Sequence, residues 1–324
     1  MKQSNFTFSF LVQQIRLRNN ILILTHVNPD GDAIGSMFAM RNIIIGLGKN
    51  PTIFFSGKTS CNISLEENAL VTKNTNFKDY DLILIVDTNN PRRTGIEIPD
   101  DLNDLPETFI IDHHIKKDKK NKYPNNIYYH IVPGATATSE IIFDLLKESE
   151  CSFSKETAYY LLLGLYTDSG GFFHSNTTPA LLKKTKELLK MGVLFKSISQ
   201  KAFKGKDVNV LAFLGDKITQ TKFNSKLNFV FNCITENEIQ EKNLSSSDIS
   251  GLVNIINMCK ESLFSLILVE EKNLIKGSIR SHEHKNTDVS HISRFLGGGG
   301  HRLASGFEVD GKLVETNKQI IIKK

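Results

Sequence analysis

Four short apolar runs constrain this chain most: Ile21–Leu24, Thr52–Phe55, Leu82–Val86 and Phe109–Ile111. Each is followed by polar or turn-forming residues and reads as a buried strand. Helical patterns fall between and after them. Ala33–Leu47 places Ile34, Met37, Phe38, Arg41, Ile44 and Ile45 at helical spacing and stops at Gly46 and Gly48, and Ser139–Lys147, Lys155–Tyr166 and Pro179–Lys190 also read as helices. Strands alternating with helices predict an α/β fold, an N-terminal doubly wound, mainly parallel sheet. Sheets of this kind bind ligands at the carboxyl ends of their strands.

At 324 residues the chain has room for two domains, since single cores stop growing at roughly 250–300 residues. The pattern changes after Gly192. Val193–Lys217 reads as a helical connection, and Leu227–Ile234, Leu263–Val269, Ile275–Ile279 and a last run at Ile320–Ile322 read as strands of a smaller C-terminal α/β domain. The expected division is 1–195, a helical linker at 196–220, and 221–324. A net charge of +5 favours an anionic partner only weakly. Cys61, Cys151, Cys233 and Cys259 form no C-x-x-C pair and read as reduced, buried thiols. Phe6–Val12 is too short and too poorly flanked for a signal peptide, and no uncharged apolar run approaches the ~18–20 residues that cross a bilayer. A cytoplasmic protein without membrane contact is expected. The basic run Lys116–Lys122 reads as a solvated loop.

The polar residues that matter fall where these elements end. His26, Asp30 and Asp32 follow the first strand in "THVNPDGDAIGS"; Asp87 ends "LILIVD"; Asp112, His113 and His114 end "FIIDHH"; Asp168 follows the helical "YYLLLGLY". Carboxyl ends of parallel strands share one edge, so these groups are expected to converge in one crevice. So many carboxylates in a low-dielectric crevice need protons or cations to be tolerated. Two divalent ions supply that charge; Asp and His ligands suit Mn²⁺, with Mg²⁺, Co²⁺ or Fe²⁺ as alternatives, and the lack of thiolate argues against structural zinc. Taken singly, Asp87 or Asp168 reads as a cap or turn residue, and Pro29-Asp30-Gly31 is ordinary turn chemistry. Their joint placement favours a metal site.

With those residues in view, the chain resembles the DHH phosphoesterases. "HVNPDGDAIGS" (26–36), "VDTNNPRRTG" (86–95), "DHH" (112–114) and "TDSGGF" (167–172) match the family's motifs in order, and "GGGGHRLASG" (297–306) resembles the signature of the accompanying DHHA1 domain. The resemblance implies two Mn²⁺ ions, one held by His26, Asp30 and Asp87 and the other by Asp32, Asp87, His113 and Asp168, with Asp87 bridging. It also implies that His114 lies by the reacting phosphate, that Asp112 braces the loop from behind, and that the active site lies in the cleft between the two domains. Two ions about 3.5–4 Å apart can share and acidify a water, so hydrolysis by a dimetal-bound hydroxide is expected, without a covalent enzyme intermediate.

In the second domain, "FLGGGGHRLASG" fits neither a P-loop nor a G-x-G-x-x-G pattern. Four glycines exceed what a helix C-cap needs and suit a backbone approaching an anion. By resemblance, Arg280, Gly298, Gly299, Gly300 and His301 would contact the substrate's phosphate and nucleotide; Arg302 reads instead as a surface ion-pair residue, and His282 and His284 as exposed and without a role. The chain resembles the stand-alone, NrnA-type branch of the family. That resemblance implies hydrolysis of short oligoribonucleotides to mononucleotides, removal of the 3′-phosphate from adenosine 3′,5′-bisphosphate, and a homodimer. A phosphodiesterase of linear or cyclic dinucleotides and a non-catalytic nucleotide-binding module are the alternatives.

Overall fold

The computed structural model describes residues 3–114, 123–148, 152–174, 176–202, 207–244, 246–249, 251–315 and 320–323. The basic run at 116–122 and Cys151 lie outside them. Contacts divide the chain into two compact units, 1–204 and 205–324.

The N-terminal unit runs β1 (Gln3–Ser4), α1 (Phe8–Leu17), β2 (Ile21–Leu24), α2 (Gly31–Gly46), β3 (Thr52–Phe54), α3 (Leu65–Ala69), β4 (Leu82–Val86), β5 (Glu107–Asp112), β6 (Ile127–Ile131), α4 (Thr138–Glu148), α5 (Lys155–Asp168), α6 (Pro179–Lys190) and α7 (Phe195–Ala202). Its sheet has the order β1-β6-β5-β4-β2-β3. Strands β2 to β6 are parallel, and β1 joins β6 antiparallel. The chain leaves β2 toward β3 and returns on the other side at β4, so the order reverses between β2 and β4. That is the position at which an open α/β sheet makes its ligand crevice.

Side chains alternate across the sheet as the pleat requires. Ile21, Ile23, Leu84, Val86, Phe109 and Ile111 pack against the helices, while Leu22, Leu24, Ile83, Ile85 and Ile110 pack beneath Phe77, Ile96 and Leu105 from turns and loops. With both faces covered, these strands are apolar throughout, which is why they stand out in the sequence. Helix α1 and strand β6 are additions to the elements read from sequence. The alternation of Tyr and His in β6 and the Gln and Arg residues of α1 weaken their apolar signal.

The glycines of α2 and α5 fix how those helices cross. A Cβ on Gly35 would lie 2.5 Å from the Tyr160 carbonyl, and one on Gly31 would lie 2.3 Å from Thr167. Such close contact brings the end of α5, and with it Asp168, beside the start of α2. Asp168 is the last residue of the helix, two residues beyond the predicted end at Tyr166.

The C-terminal unit runs α8 (Val208–Thr219), β7 (Lys222–Asn224), β8 (Phe229–Ile234), α9 (Glu236–Glu241), α10 (Ser246–Ile249), α11 (Leu252–Ile256), β9 (Phe264–Glu271), β10 (Leu274–Ser281), α12 (Val289–Phe295), β11 (Gly299–His301), β12 (Ala304–Asp310), β13 (Lys312–Glu315) and β14 (Ile320–Lys323). Its main sheet, β11-β12-β10-β9-β8-β7, is antiparallel except for β8 with β9; β13 and β14 pair antiparallel in a two-stranded sheet. The stretch read as a helical connection thus holds two helices, with α7 in the first unit and α8 in the core of the second. Cys61 is buried, whereas Cys233 and Cys259 are only half-buried, a departure from the buried thiols expected. Among the described residues no helix is long and apolar enough to cross a membrane.

Candidate metal centre

Identifiable local devices aim Asp30, Asp32 and Asp87. Asp30 caps α2: its Oδ1 accepts from the backbone N–H groups of Asp32 and Ala33 at 3.1 and 3.0 Å. Asp32, fully buried in the first turn, is held by the opening of α4. Its Oδ2 accepts from Thr138 N at 2.6 Å, and its Oδ1 accepts from Ser139 N at 3.0 Å and Ser139 Oγ at 2.6 Å. Two helix N-termini therefore point at these carboxylates, where their amide dipoles favour negative charge. Gly164 leaves the space: a Cβ there would lie 2.0 Å from Ser139 Oγ and 2.4 Å from Asp32 Oδ1.

Asp87 follows β4 with φ of 61°, the left-handed region that costs a non-glycine residue energy unless its surroundings hold it. Here its N–H donates to Ile111 O at 3.0 Å, and Thr138 Oγ1 donates to its Oδ1 at 2.9 Å. Its other oxygen lies 3.5 Å from His26 Nε2, and Oδ1 lies 3.6 Å from His113 Nε2. His113 Nε2 also lies 3.3 Å from Asp168 Oδ2. The far nitrogens of both histidines face carbonyls, His26 Nδ1 at 2.9 Å from Val27 O and His113 Nδ1 at 3.3 Å from Ala135 O. A carbonyl at Nδ1 selects the tautomer that leaves Nε2 as a lone-pair donor toward the carboxylates.

Three groups of ligand atoms lie within 4.8 Å of one another: His26, Asp30 and Asp87; Asp32, His113 and Asp168; and Asp87, His113 and His114. All the predicted ligand residues are thus brought together, with Asp87 and His113 each in two groups. His114 stands at the rim, its Nδ1 2.8 Å from Asp112 Oδ1. Asp112 is buried beneath it, and its Oδ2 has no hydrogen-bond partner among the described residues.

The electrostatics match a cation site. Burial pushes the Asp87 carboxyl well above the usual carboxylate range, and Asp32, Asp30, Asp168 and Asp112 push it further. Asp168 is raised likewise, by burial and then by Asp32, Asp30 and Asp112. Among the described residues no lysine or arginine pairs with Asp30, Asp32, Asp87, Asp112 or Asp168. Oxygen and imidazole ligands with uncompensated negative charge fit hard or borderline divalent ions.

The supporting groups Thr138, Ser139 and Gly164 carry no role in the sequence reading. The hydroxyl-rich "TATSE" at 136–140, ahead of an apolar helical run, is a helix-start signal, but its service to Asp32 is a contact across more than a hundred residues. Asn89 Nδ2 donates to His114 O at 2.9 Å and is a further support outside the predicted set.

Residues 20–165 match the family model described as DHH family, N-terminal domain, a stretch that holds every residue of the cluster except Asp168. Residues 20–165 are a DHH family N-terminal domain. DHH relatives align over nearly the whole chain. The Thermus thermophilus protein named bifunctional oligoribonuclease and PAP phosphatase NrnA is 27% identical over 90% of this chain and 84% of its own length. The Bacillus subtilis protein of the same name is 26% identical over 92% of each chain. A crystal structure of an exopolyphosphatase-related protein from Bacteroides fragilis shares the fold, with a TM-score of 0.78 and 24% identity over 94% of this chain and 91% of that one. As a DHH phosphoesterase the chain is an enzyme, a hydrolase of phosphoesters.

In the C-terminal unit, Arg280 lies at the end of β10, half-buried, with Nη1 donating to Ile279 O at 2.9 Å and no carboxylate partner among the described residues. Desolvation lowers its pKa. Arg302 does pair, with Glu283 at 3.0 Å, and bonds Asn286 at 2.8 Å. His282 and His284 stack on each other at 5.4 Å. His301 is exposed on β11.

The glycine run meets two structural demands that the sequence reading did not combine. Gly297, at φ of 77°, closes α12; its N–H donates to Arg294 O and that of Gly298 to Ser293 O, the double bond of a Schellman cap. Strand β12 then runs so close that a Cβ on Gly298 would lie 2.1 Å from Gly306 O and one on Gly300 2.6 Å from Ser305 Cα. Gly297 and Gly299 have open space at their Cβ positions, so Gly297 is required by its positive φ and not by crowding.

Proposed function

We propose that this protein is a Mn²⁺-dependent phosphoesterase that hydrolyses short oligoribonucleotides to mononucleotides and removes the 3′-phosphate of adenosine 3′,5′-bisphosphate. The observation that carries this reading is the convergence of His26, Asp30, Asp87, Asp32, His113 and Asp168 without a lysine or arginine partner, in a chain similar over nearly its full length to proteins named for those two activities. His26, Asp30 and Asp87 would hold one ion, and Asp32, Asp87, His113 and Asp168 the other. Two divalent ions bound there would offset phosphoryl charge and acidify water.

The chain's own residues supply the rest. The amides of Thr138 and Ser139 fix Asp32, so its carboxylate need not reorganise when a substrate arrives. Desolvation would lower the pKa of His114, but the hydrogen bond and charge of Asp112 outweigh it and raise the pKa. His114 therefore holds a proton more readily and can present Nε2–H to a phosphoryl or departing oxygen, with Asp112 keeping the ring oriented. Arg280, Gly298, Gly299, Gly300 and His301 would grip the phosphate and nucleotide; Arg280 brings a guanidinium that no carboxylate among the described residues pairs with.

The test is hydrolysis by purified protein with Mn²⁺, each reaction paired with a chelator control. The substrates are adenosine 3′,5′-bisphosphate, a labelled RNA dinucleotide, a long labelled RNA and cyclic di-AMP. Chelator-sensitive turnover of the first two with slow cleavage of the long RNA is expected. Cleavage of the cyclic dinucleotide alone, or of nothing, would overturn the assignment.

A further inference from the structure

We propose that Phe173 is a stacking platform for the nucleobase attached to the reacting phosphate, an inference that rests on the nucleotide reading above. The two phenylalanines that follow "DSGG" have opposite fates. Phe172 packs edge-on to Tyr166 at 5.7 Å and nearly parallel to Phe195 at 6.2 Å between ring centroids. Phe173 is 93% exposed.

A costly backbone produces that division. Gly170, Gly171 and Phe172 have φ of 59°, 68° and 70°. Three successive left-handed residues, one of them a bulky aromatic, persist only when surrounding contacts fix them. Ser169 supplies several: its Oγ accepts from Phe172 N at 3.1 Å and its carbonyl from His174 N at 2.9 Å. Gly171 N donates to Tyr166 O at 2.7 Å.

One exposed apolar ring is ordinary on a protein surface. Phe173 differs in where it is tethered. The turn leaves the helix end that carries Asp168, and it is tied back to that residue beyond Phe173, with Asn176 Nδ2 donating to Asp168 O at 3.2 Å and His174 Nδ1 at 3.3 Å from the same oxygen. An exposed aromatic side chain on a hydrogen-bonded turn thus follows, by five residues, the Asp168 whose carboxylate pairs with His113. The metal centre offers oxygen and imidazole ligands for phosphate and little for a base. A π-face accepts any base.

The chain has no tryptophan, so Phe173→Trp places a single indole reporter at the proposed contact. Titrating that variant with an RNA dinucleotide in chelator should quench its emission, whereas ribose 5-phosphate, which has no base, should not. In Mn²⁺ assays Phe173→Ala and Phe173→Leu should raise KM for the dinucleotide by about 5- to 150-fold with little change in kcat, and Phe173→Trp should keep a near wild-type KM. Rescue by leucine would indicate apolar bulk in place of stacking and would overturn the proposal. Wild-type KM in Phe173→Ala, with no quenching in Phe173→Trp, would overturn it while leaving the nucleotide reading standing. Failure of the wild-type protein to bind or hydrolyse any nucleotide would overturn both.

Discussion

Glu67 and the Asp87–Asp168 cluster, both in the N-terminal unit, are compensated in opposite ways. Glu67 accepts from Lys201 Nζ, from Tyr160 Oη at 2.7 Å and from Ser64 N at 2.7 Å. Burial would raise its pKa, but the Lys201, Ser64 and Tyr160 hydrogen bonds bring it below the ordinary value. Asp87 and Asp168 are held well above theirs, with imidazoles and no lysine or arginine beside them among the described residues. The same unit thus builds an internal cation where a carboxylate only joins α3 to α5 and α7. Where the carboxylates face the switch point of the sheet it leaves the charge to be met from outside.

Breaking the second group should cost function, and breaking the first should cost stability. Asp87→Asn removes the residue shared by two ligand groups and should lower phosphoesterase kcat/KM by more than about 100-fold, since even outer-shell changes around a metal cost 10–100-fold. Glu67→Gln should destabilise the fold by about 3 kcal/mol in urea unfolding, because it strands the Lys201 charge, while activity per folded molecule stays near wild type. The pH dependence of that contribution has a definite sign. The folded pKa of Glu67 lies below its ordinary 4.5, so the stabilisation is present above that value and is lost as pH falls through the folded pKa.

A subtler variant separates the two groups by geometry. Gly164→Ala drives a methyl group into Ser139 and Asp32, and should cost about 1–3 kcal/mol together with a measurable drop in kcat, whereas Gly46→Ala, with nothing within 4 Å of its Cβ position, should be close to neutral in both. The smallest effect expected is a gain. In chelator, the raised pKa values of Asp87 and Asp168 mean that the folded state binds protons more tightly than the unfolded chain. Stability of the metal-free protein should therefore fall as pH rises from 3.8 through the folded pKa values. Metal-free Asp87→Asn should melt a few degrees above metal-free wild type at neutral pH, and Mn²⁺ should reverse that order.

The contrast also explains what could be read in advance. Buried parallel strands must stay apolar until the chain leaves the sheet, so Asp87 and Asp112 are conspicuous at the points where β4 and β5 end. Helix α6 coincides with Pro179–Lys190 because a proline start and a strong apolar stripe are local signals. The parts that tune the site are not local. Ser139 meets Asp32, Tyr160 meets Glu67, and Gly164 is needed only because Asp32 lies against it. Likewise the glycines at 298 and 300 answer to β12, a strand whose approach no feature of the run itself reveals.

The most direct test of an acidic cluster built for outside cations is the metal stoichiometry of the wild-type protein and of Asp87→Asn, measured by equilibrium dialysis against Mn²⁺ with elemental analysis. The arrangement predicts two ions per wild-type chain and a loss of at least one in the variant. A wild-type protein that takes up no Mn²⁺, or an Asp87→Asn protein that holds two ions as tightly as wild type, would contradict it.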